Sequence, residues 1–448
     1  MNLSLYKRIV LLAAPMVAQI LLGTAVGFFD NVMVGQLGET SVAGVLAANQ
    51  VNSILIMFTV GISASVVVLA AQYFGREDLD SAKIVVAIGF RAALAFGLGI
   101  SATSFFFTGF VLNIFTNETA VITEGARYLR IVAFSFPFFA ITQGLMAAMR
   151  CVQVVKISMY VAASTLIVSV FLNYALIFGN FGFPALGIEG AAIATLIARV
   201  LETTIMLFYV RFIDKRLNLR ISDFLKKNKR LSADFVKYGL PVLMGDLLWG
   251  IVTTLHTAIM GRMGEEAMAA QAVSVTLFAV MTSIIWGVGG ACALVIGEAV
   301  GKGDYSVVKS YARHMQLLFV ALSTSIALII FISIEPFLGL FDFTETTADI
   351  ARQFMLIIAI STVFTGYHAP CFTGIIRAGG DTRFVLIVDA ICAWLIVLPL
   401  ASLAAFVFSA PPWVVFFFLR FDQFFKWVIA AIKTNRFKWI KNLTVSAE

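Results

Sequence analysis

Charge is what this sequence has least of: Asp, Glu, Lys and Arg together supply 13% of its 448 residues, against 60% hydrophobic. A chain so poor in charge does not use water as its main solvent, which excludes the soluble globular classes. Histidine is scarcer still at three residues, so a histidine-rich metal centre is not expected, and no H-E-x-x-H occurs. The four cysteines, Cys151, Cys292, Cys371 and Cys392, stand apart with no CxxC spacing, which argues against a disulfide framework and a thiolate metal site. Gly297, Gly301, Lys302 and Gly303 imitate a phosphate loop, but the spacing is one residue short and Gly303 stands where Ser or Thr is required. No cluster marks an intramembrane enzyme. The chain is therefore expected to be no enzyme, and to need no cofactor and no metal centre.

What is present is apolar sequence in runs of membrane length. A stretch of roughly 20 apolar residues, rising about 1.5 Å each, crosses a hydrocarbon core of about 30 Å. Twelve such runs lie near 9 to 34, 47 to 73, 85 to 112, 125 to 149, 156 to 180, 186 to 212, 234 to 260, 273 to 300, 309 to 333, 350 to 376, 383 to 408 and 411 to 434. The first begins after Lys7 and Arg8 and outruns a signal-peptide core, so it is expected to stay as a helix. The predicted class is an all-α integral membrane protein of twelve transmembrane helices.

The net charge of +7 is not a nucleic-acid signal, because the basic residues alternate between loops. Arg211, Lys215, Arg216, Arg220, Lys226, Lys227, Lys229, Arg230 and Lys237 fall between helices 6 and 7; Arg76, Lys83, Arg150, Lys156, Lys302, Lys309, Arg377 and Arg383 follow helices 2, 4, 8 and 10. The opposite loops hold Arg262 among many acids. The positive-inside rule then predicts a multi-pass protein of the inner (plasma) membrane with both termini cytoplasmic. The basic segment reads as a topology signal with attraction to anionic lipid.

Displaced by 226 positions, the chain meets itself without a gap from Leu11 to Lys83. Pro15 meets Pro241, Gly35 meets Gly261, Gly38 meets Gly264, Glu39 meets Glu265, Gly61 meets Gly287, Gly75 meets Gly301, Asp78 meets Asp304 and Lys83 meets Lys309. Agreement of Gly and Pro carries weight because these residues set backbone geometry. Six helices per half is an even number, so the repeat is parallel, and two pseudo-symmetric six-helix lobes around a central cleft are predicted. The divisions read from the sequence are an N-terminal lobe over 1–210, a basic linker over 211–237, a C-terminal lobe over 238–434 and a cytoplasmic tail over 435–448. Two lobes rocking about a shared site point to a secondary transporter, in which Pro15 and Pro241 would permit bending.

Ionisable groups inside hydrocarbon cost roughly 2.5 to 3.5 kcal/mol on insertion scales, so each is a functional candidate. Helix 1 places Gln19, Gly23, Gly27 and Asp30 on one face, a polar stripe that ends in a carboxylate suited to a cation. Helix 7 repeats the device with Asp246, Trp249, Thr253 and His256, and His256 occupies the repeat position of Asp30. His256 reads equally as a titrating group and as a satisfied hydrogen-bonding one. Helix 10 adds Ser361, Thr365 and His368, with Tyr367 beside them. Arg199 and Glu202 read as a structural pair, as do Arg420, Asp422 and Gln423. Asp389 has no evident partner, and its pattern fits either a second ion site or an inter-helix contact.

The segment Phe29-Asp30-Asn31-Val32-Met33-Val34-Gly35, with Pro15 upstream, and the stretch from Gly182 to Thr195 resemble the multidrug and toxic compound extrusion (MATE) family, in its NorM-like branch. The resemblance spans essentially the whole chain. It implies a cation site of the N-terminal lobe formed by Asp30, Asn173, Thr195 and the Ala191 carbonyl. Some members carry a second acid one turn after the asparagine, where this chain has Ile177. Asp246 matches the branch's acidic position in helix 7, whereas its acidic residue in helix 10 is absent, with Gly366 near the place. A second cation or substrate site would then draw on Asp246, His256, Tyr367, His368 and Asp389. The implied activity is efflux of lipophilic, often cationic small molecules in exchange for sodium ions or protons, by a monomer in the lipid bilayer with no nucleic-acid partner. A flippase for a lipid-linked precursor shares the broad architecture and would need arginines facing the cleft.

Overall fold

The structure is a computed structural model that describes residues 3–444. Lipid offers the backbone no hydrogen-bond partner, so apolar runs of this length close their own ladders as helices. In chain order these are α1 (Leu3–Gly35), α2 (Glu39–Gly75), α3 (Leu79–Phe106), α4 (Thr119–Val132 and Ser135–Cys151), α5 (Lys156–Phe178), α6 (Ile188–Ile213), α7 (Lys229–Gly261), α8 (Glu265–Gly301), α9 (Tyr305–Leu338), α10 (Glu345–Arg377), α11 (Thr382–Val407) and α12 (Pro412–Leu419 and Gln423–Arg436). Ten of them are long and apolar enough to span a membrane without interruption, and α4 is a pair bent by 50°. The run at 411 to 434 also changes. It breaks at residues 420–422, where Arg420 and Asp422 interrupt the apolar sequence and the backbone makes a turn.

By contact the chain divides into two compact units, Ala18–Ala70 with Asp78–Val236, and Met1–Val17 with Ala71–Glu77 and Lys237–Glu448. The starting turns of α1 and the last turn of α2 thus count with the C-terminal helices, and nearly all of the basic segment counts with the N-terminal ones. Pro15 and Pro241 both fall close to a point where the chain passes from one unit to the other. Helix α1 nonetheless runs through Pro15 unbroken, while Pro241 sits in the first turn after a π-helical stretch at Phe235–Gly239.

In the N-terminal unit the core is built from Val51, Leu55, Leu112, Leu129, Phe136, Ile177 and Ala192, all buried. Helices α5 and α6 meet at Gly190, where a Cβ would lie 2.4 Å from the Leu176 carbonyl oxygen. Only glycine allows that approach, which carries Ala191 and Thr195 up to the face of α5. The basic segment is folded rather than loose. The Asp214 carboxylate accepts from the backbone N–H groups of Arg216, Leu217 and Asn218, and Arg91 donates to the carbonyls of Phe224 and Lys226. Asp223 is buried between Lys226, at 2.7 Å, and Lys83, at 3.9 Å. Burial raises its carboxyl, but Lys226, the Arg220 N–H and Lys83 outweigh it and hold the group below the ordinary carboxylate range.

In the C-terminal unit a core of Leu277, Ile285, Ile330, Phe354, Met355 and Phe416 joins α8, α9, α10 and α12. The chain after α12 closes this unit as a strap. Trp439 is fully buried and donates its indole N–H to the Thr434 carbonyl. Lys441 N–H donates to the Gly379 carbonyl at 2.7 Å, Leu443 N–H to the Gln72 side chain at 2.8 Å, and Arg76 to the Thr444 carbonyl at 2.7 Å. The part of the predicted tail over 435–444 is therefore packed structure, and its last four residues lie outside the described ones. Asp381 anchors the strap through Lys433 and Lys441, at 2.7 and 2.8 Å. Burial raises its carboxyl, yet the two ammonium groups prevail and hold it low. That stabilisation is present above the unfolded carboxylate pKa and is lost as pH falls through the lowered one. Trp439→Ala is expected to cost about 3–5 kcal/mol, the usual range for deleting a buried aromatic ring. Thermal melting in detergent checks it, and an unchanged Tm would mean the strap adds no stability.

Candidate functional site

Helix α1 brings Asp30, partly buried, against α5 of the N-terminal unit. The Asn173 amide of α5 donates to its Oδ1 at 2.5 Å. Asn173 is itself buried, and its own Oδ1 has no hydrogen-bond partner. A buried acceptor without a donor is costly, and one beside a carboxylate is the donor set a small cation takes. Thr195 donates to the Ala191 carbonyl at 3.0 Å, one turn below it on α6. Ile177, where a second acid would stand, is buried in the apolar core. The structure thus joins Asp30 to Asn173 across α1 and α5, and Thr195 to the Ala191 carbonyl within α6.

A residue absent from the sequence reading completes the surroundings. Tyr128 of α4 is buried, beside Thr195 and within electrostatic reach of Asp30. Its signal in the sequence is faint, since a lone tyrosine near the start of an apolar run reads as an interfacial anchor. Arg199 lies behind the site, held by Glu202 at 3.0 Å and stacked over Phe139 at 4.3 Å, as expected of a structural pair. Further along the polar stripe of α1, Gln19 accepts from Arg150 at 3.0 Å. An apolar groove of about 550 Å³ runs between α1 and α5, lined by Phe29, Met33, Phe171, Tyr174 and Phe181 among others.

The C-terminal candidates are brought together only in part. Asp246 pairs with Arg377 at 2.8 Å. By the charge rule Arg377 belonged to a loop, but α10 continues through a π-helical stretch, Cys371–Arg377, that carries it inward to a buried position. Asp389, which lacked an evident partner in the sequence, pairs with Lys426 of α12 at 2.9 Å, and the same ammonium reaches Asp422 at 2.7 Å. Arg420 does not form the pair with Asp422 that the sequence implied; its guanidinium stacks over Phe278 at 4.0 Å, and Asp422 has Lys426 in its place. His368 is buried and its Nδ1 faces the Phe364 carbonyl at 3.0 Å. The His256 Nε2 is buried with no hydrogen-bond partner. Tyr367 leaves the group: its hydroxyl donates to Gln316 of α9 at 2.7 Å, and its ring lines a different cavity with Arg313, Leu317 and Asn435. Tyr367 and His368 are consecutive on the helix, and the step of one residue turns their side chains about 100° apart. Among the described residues no cluster of His, Cys, Asp and Glu is placed to hold a metal ion.

The geometry can be set beside known proteins. The chain is 28% identical over 402 residues to the "Uncharacterized transporter YisQ" of Bacillus subtilis, covering 87% of this chain and 85% of that one. It is 27% identical over 415 residues to a protein of Agrobacterium fabrum named "Probable multidrug resistance protein NorM", covering 90% and 87%. Its fold superposes on the Vibrio cholerae MATE transporter VcmN, solved as a single-residue mutant, with a TM-score of 0.88 over 98% of each chain at 18% identity. Residues 15–175 and 241–403 each match the MatE family, one match in each half of the repeat. On that match, which takes in well over half of its residues, this multi-pass membrane protein belongs to the MatE family.

Proposed function

We propose that this chain is a secondary multidrug efflux antiporter, which exports lipophilic, often cationic compounds in exchange for sodium ions or protons by alternating access. The observation that carries the reading is the company of Asp30. Among the described residues no Lys, Arg or His forms an ion pair with it, and its hydrogen bond comes from a neutral amide whose oxygen is left without a donor. A carboxylate so placed takes its cation or proton from outside, and a difference in that affinity between two conformations is what couples ion to substrate. The aromatic groove between α1 and α5 suits flat, lipophilic cations. The name of the Agrobacterium relative points the same way. A flippase for a pyrophosphate-bearing lipid would call on several free arginines, whereas Arg199 and Arg377 are committed to Glu202 and Asp246 and Arg420 stacks over Phe278.

In this reading the protein works as a monomer in the plasma membrane with both termini cytoplasmic, and binds small molecules and lipid. Purified protein in proteoliposomes tests it. An imposed sodium or proton gradient is expected to drive ethidium against its own gradient, and the gradient that works identifies the ion. Transport indifferent to both would remove the antiport reading. Cysteines introduced over 34–46 and 211–237 should label from opposite sides of the membrane; labelling from one side would overturn the topology.

A further inference from the structure

The two units hold their candidate cation-site carboxylates in opposite ways. Asp30 has a neutral partner. In the C-terminal unit each carboxylate has a cation of the chain itself: Arg377 at Asp246, and the single ammonium of Lys426 shared by Asp389 and Asp422. Lys426 and Asp422 are almost completely buried, their side chains each 8% exposed, while Asp389 is 34% exposed. The groups facing this cluster from the packed helices are Asp246 and His256 on α7, His368 and Arg377 on α10, and Arg420 at the break in α12. Leaving the two histidines aside, three acids (Asp246, Asp389, Asp422) stand against three bases (Arg377, Arg420, Lys426), so the cluster is balanced with no ion added.

We infer that Lys426 is a tethered counter-ion that occupies the place of a coupling cation in the C-terminal lobe, so that each transport cycle exchanges its cation at Asp30 alone. The inference rests on the antiport reading above and adds the stoichiometry. An ammonium between two carboxylates at hydrogen-bonding distance supplies the charge a monovalent ion would supply, and being covalently held it is never released to either side. Its removal leaves the buried Asp422 and the partly exposed Asp389 without their shared counter-charge, an arrangement relieved by taking up a proton or a metal cation. A purely structural salt bridge, once broken, would destabilise the fold without creating a binding site, and this separates the two roles.

The experiment counts cations bound per chain in purified full-length protein, by equilibrium binding of radioactive sodium and, in parallel, by proton release on adding tetraphenylphosphonium. In whichever arm responds, the native protein is expected to give one cation per chain and Asp30→Asn none. Lys426→Gln should gain a site and give two, and the Asp30→Asn, Lys426→Gln double variant should keep one. Lys426→Arg, which preserves the charge, should return to one. Asp389→Asn leaves Lys426 paired with Asp422, is the gentler change to the fold, and should also stay at one. Two cations in the native protein, with one lost on Asp389→Asn, would overturn the inference, as would a Lys426→Gln protein that folds and gains nothing. Failure of the antiport reading looks different: Asp30→Asn would then bind and transport as the native protein does.

Discussion

Asp30→Asn is expected to reduce drug efflux to background while expression and melting temperature stay at native levels. The amide has the shape of the carboxylate and can still accept from the Asn173 side chain, which donates to Oδ1 at this position, so the packing of α1 on α5 survives. What is lost is the charge. A potential of about 150 mV is worth roughly 3.5 kcal/mol for each charge moved, enough to sustain a gradient of about 300-fold. With no group left to load the cation, that driving force reaches nothing, because a ligand with equal affinity for two conformations shifts neither. Ethidium efflux from energised cells, normalised to the amount of protein in the membrane, reads the effect. Native efflux in this variant would remove Asp30 from the coupling.

How much of this was legible in the sequence depends on the kind of interaction. Spans were legible because each is a local property: apolar length, with Gly and Pro at matched places in two halves. Asp30 was legible because a carboxylate on a small-residue face is conspicuous on its own helix, and the structure does bring Asn173 to it. Partners on separate helices were not. Lys426 lies 37 positions after Asp389, in a span whose hydropathy average conceals the break at 420–422, and periodicity within one helix says nothing of which neighbour it faces. Arg377 was misplaced for a related reason. The charge rule counts residues near helix ends, and the π-helical stretch that extends α10 buries a residue the count leaves in a loop. Tyr367 was grouped with His368 by adjacency, although neighbours on a helix point apart and this one faces Gln316.

A single methyl group at Gly75 or Gly301 is expected to abolish transport. These glycines are partners under the 226-residue displacement, and the structure shows what the shared position is for. A Cβ at Gly75 would lie 2.1 Å from the Glu298 carbonyl oxygen, and one at Gly301 would lie 1.9 Å from the Gln72 carbonyl oxygen. Gln72 and Glu298 are themselves repeat partners, so the ends of α2 and α8 cross with each glycine against the other helix's backbone, the self-complementary arrangement of a two-fold axis. Ala71 and Gly297, again partners, touch in the same crossing, with 3.0 Å between a Gly297 Cβ and that of Ala71. Backbone atoms cannot rotate aside as a side chain can, so Gly301→Ala forces the helices apart at a cost on the order of 1–3 kcal/mol or more. The displacement also reaches the strap, because Gln72 donates to the Ala378 carbonyl at 3.0 Å and accepts from Leu443 N–H. The control is the same change at Gly99, within α3, where nothing lies within 4 Å of the added carbon. There alanine removes a glycine from a helix interior and should leave transport intact. Efflux and melting temperature of Gly75→Ala, Gly301→Ala and Gly99→Ala decide the matter; native behaviour at either of the first two would mean that the crossing is loose and that the matched glycines have another cause.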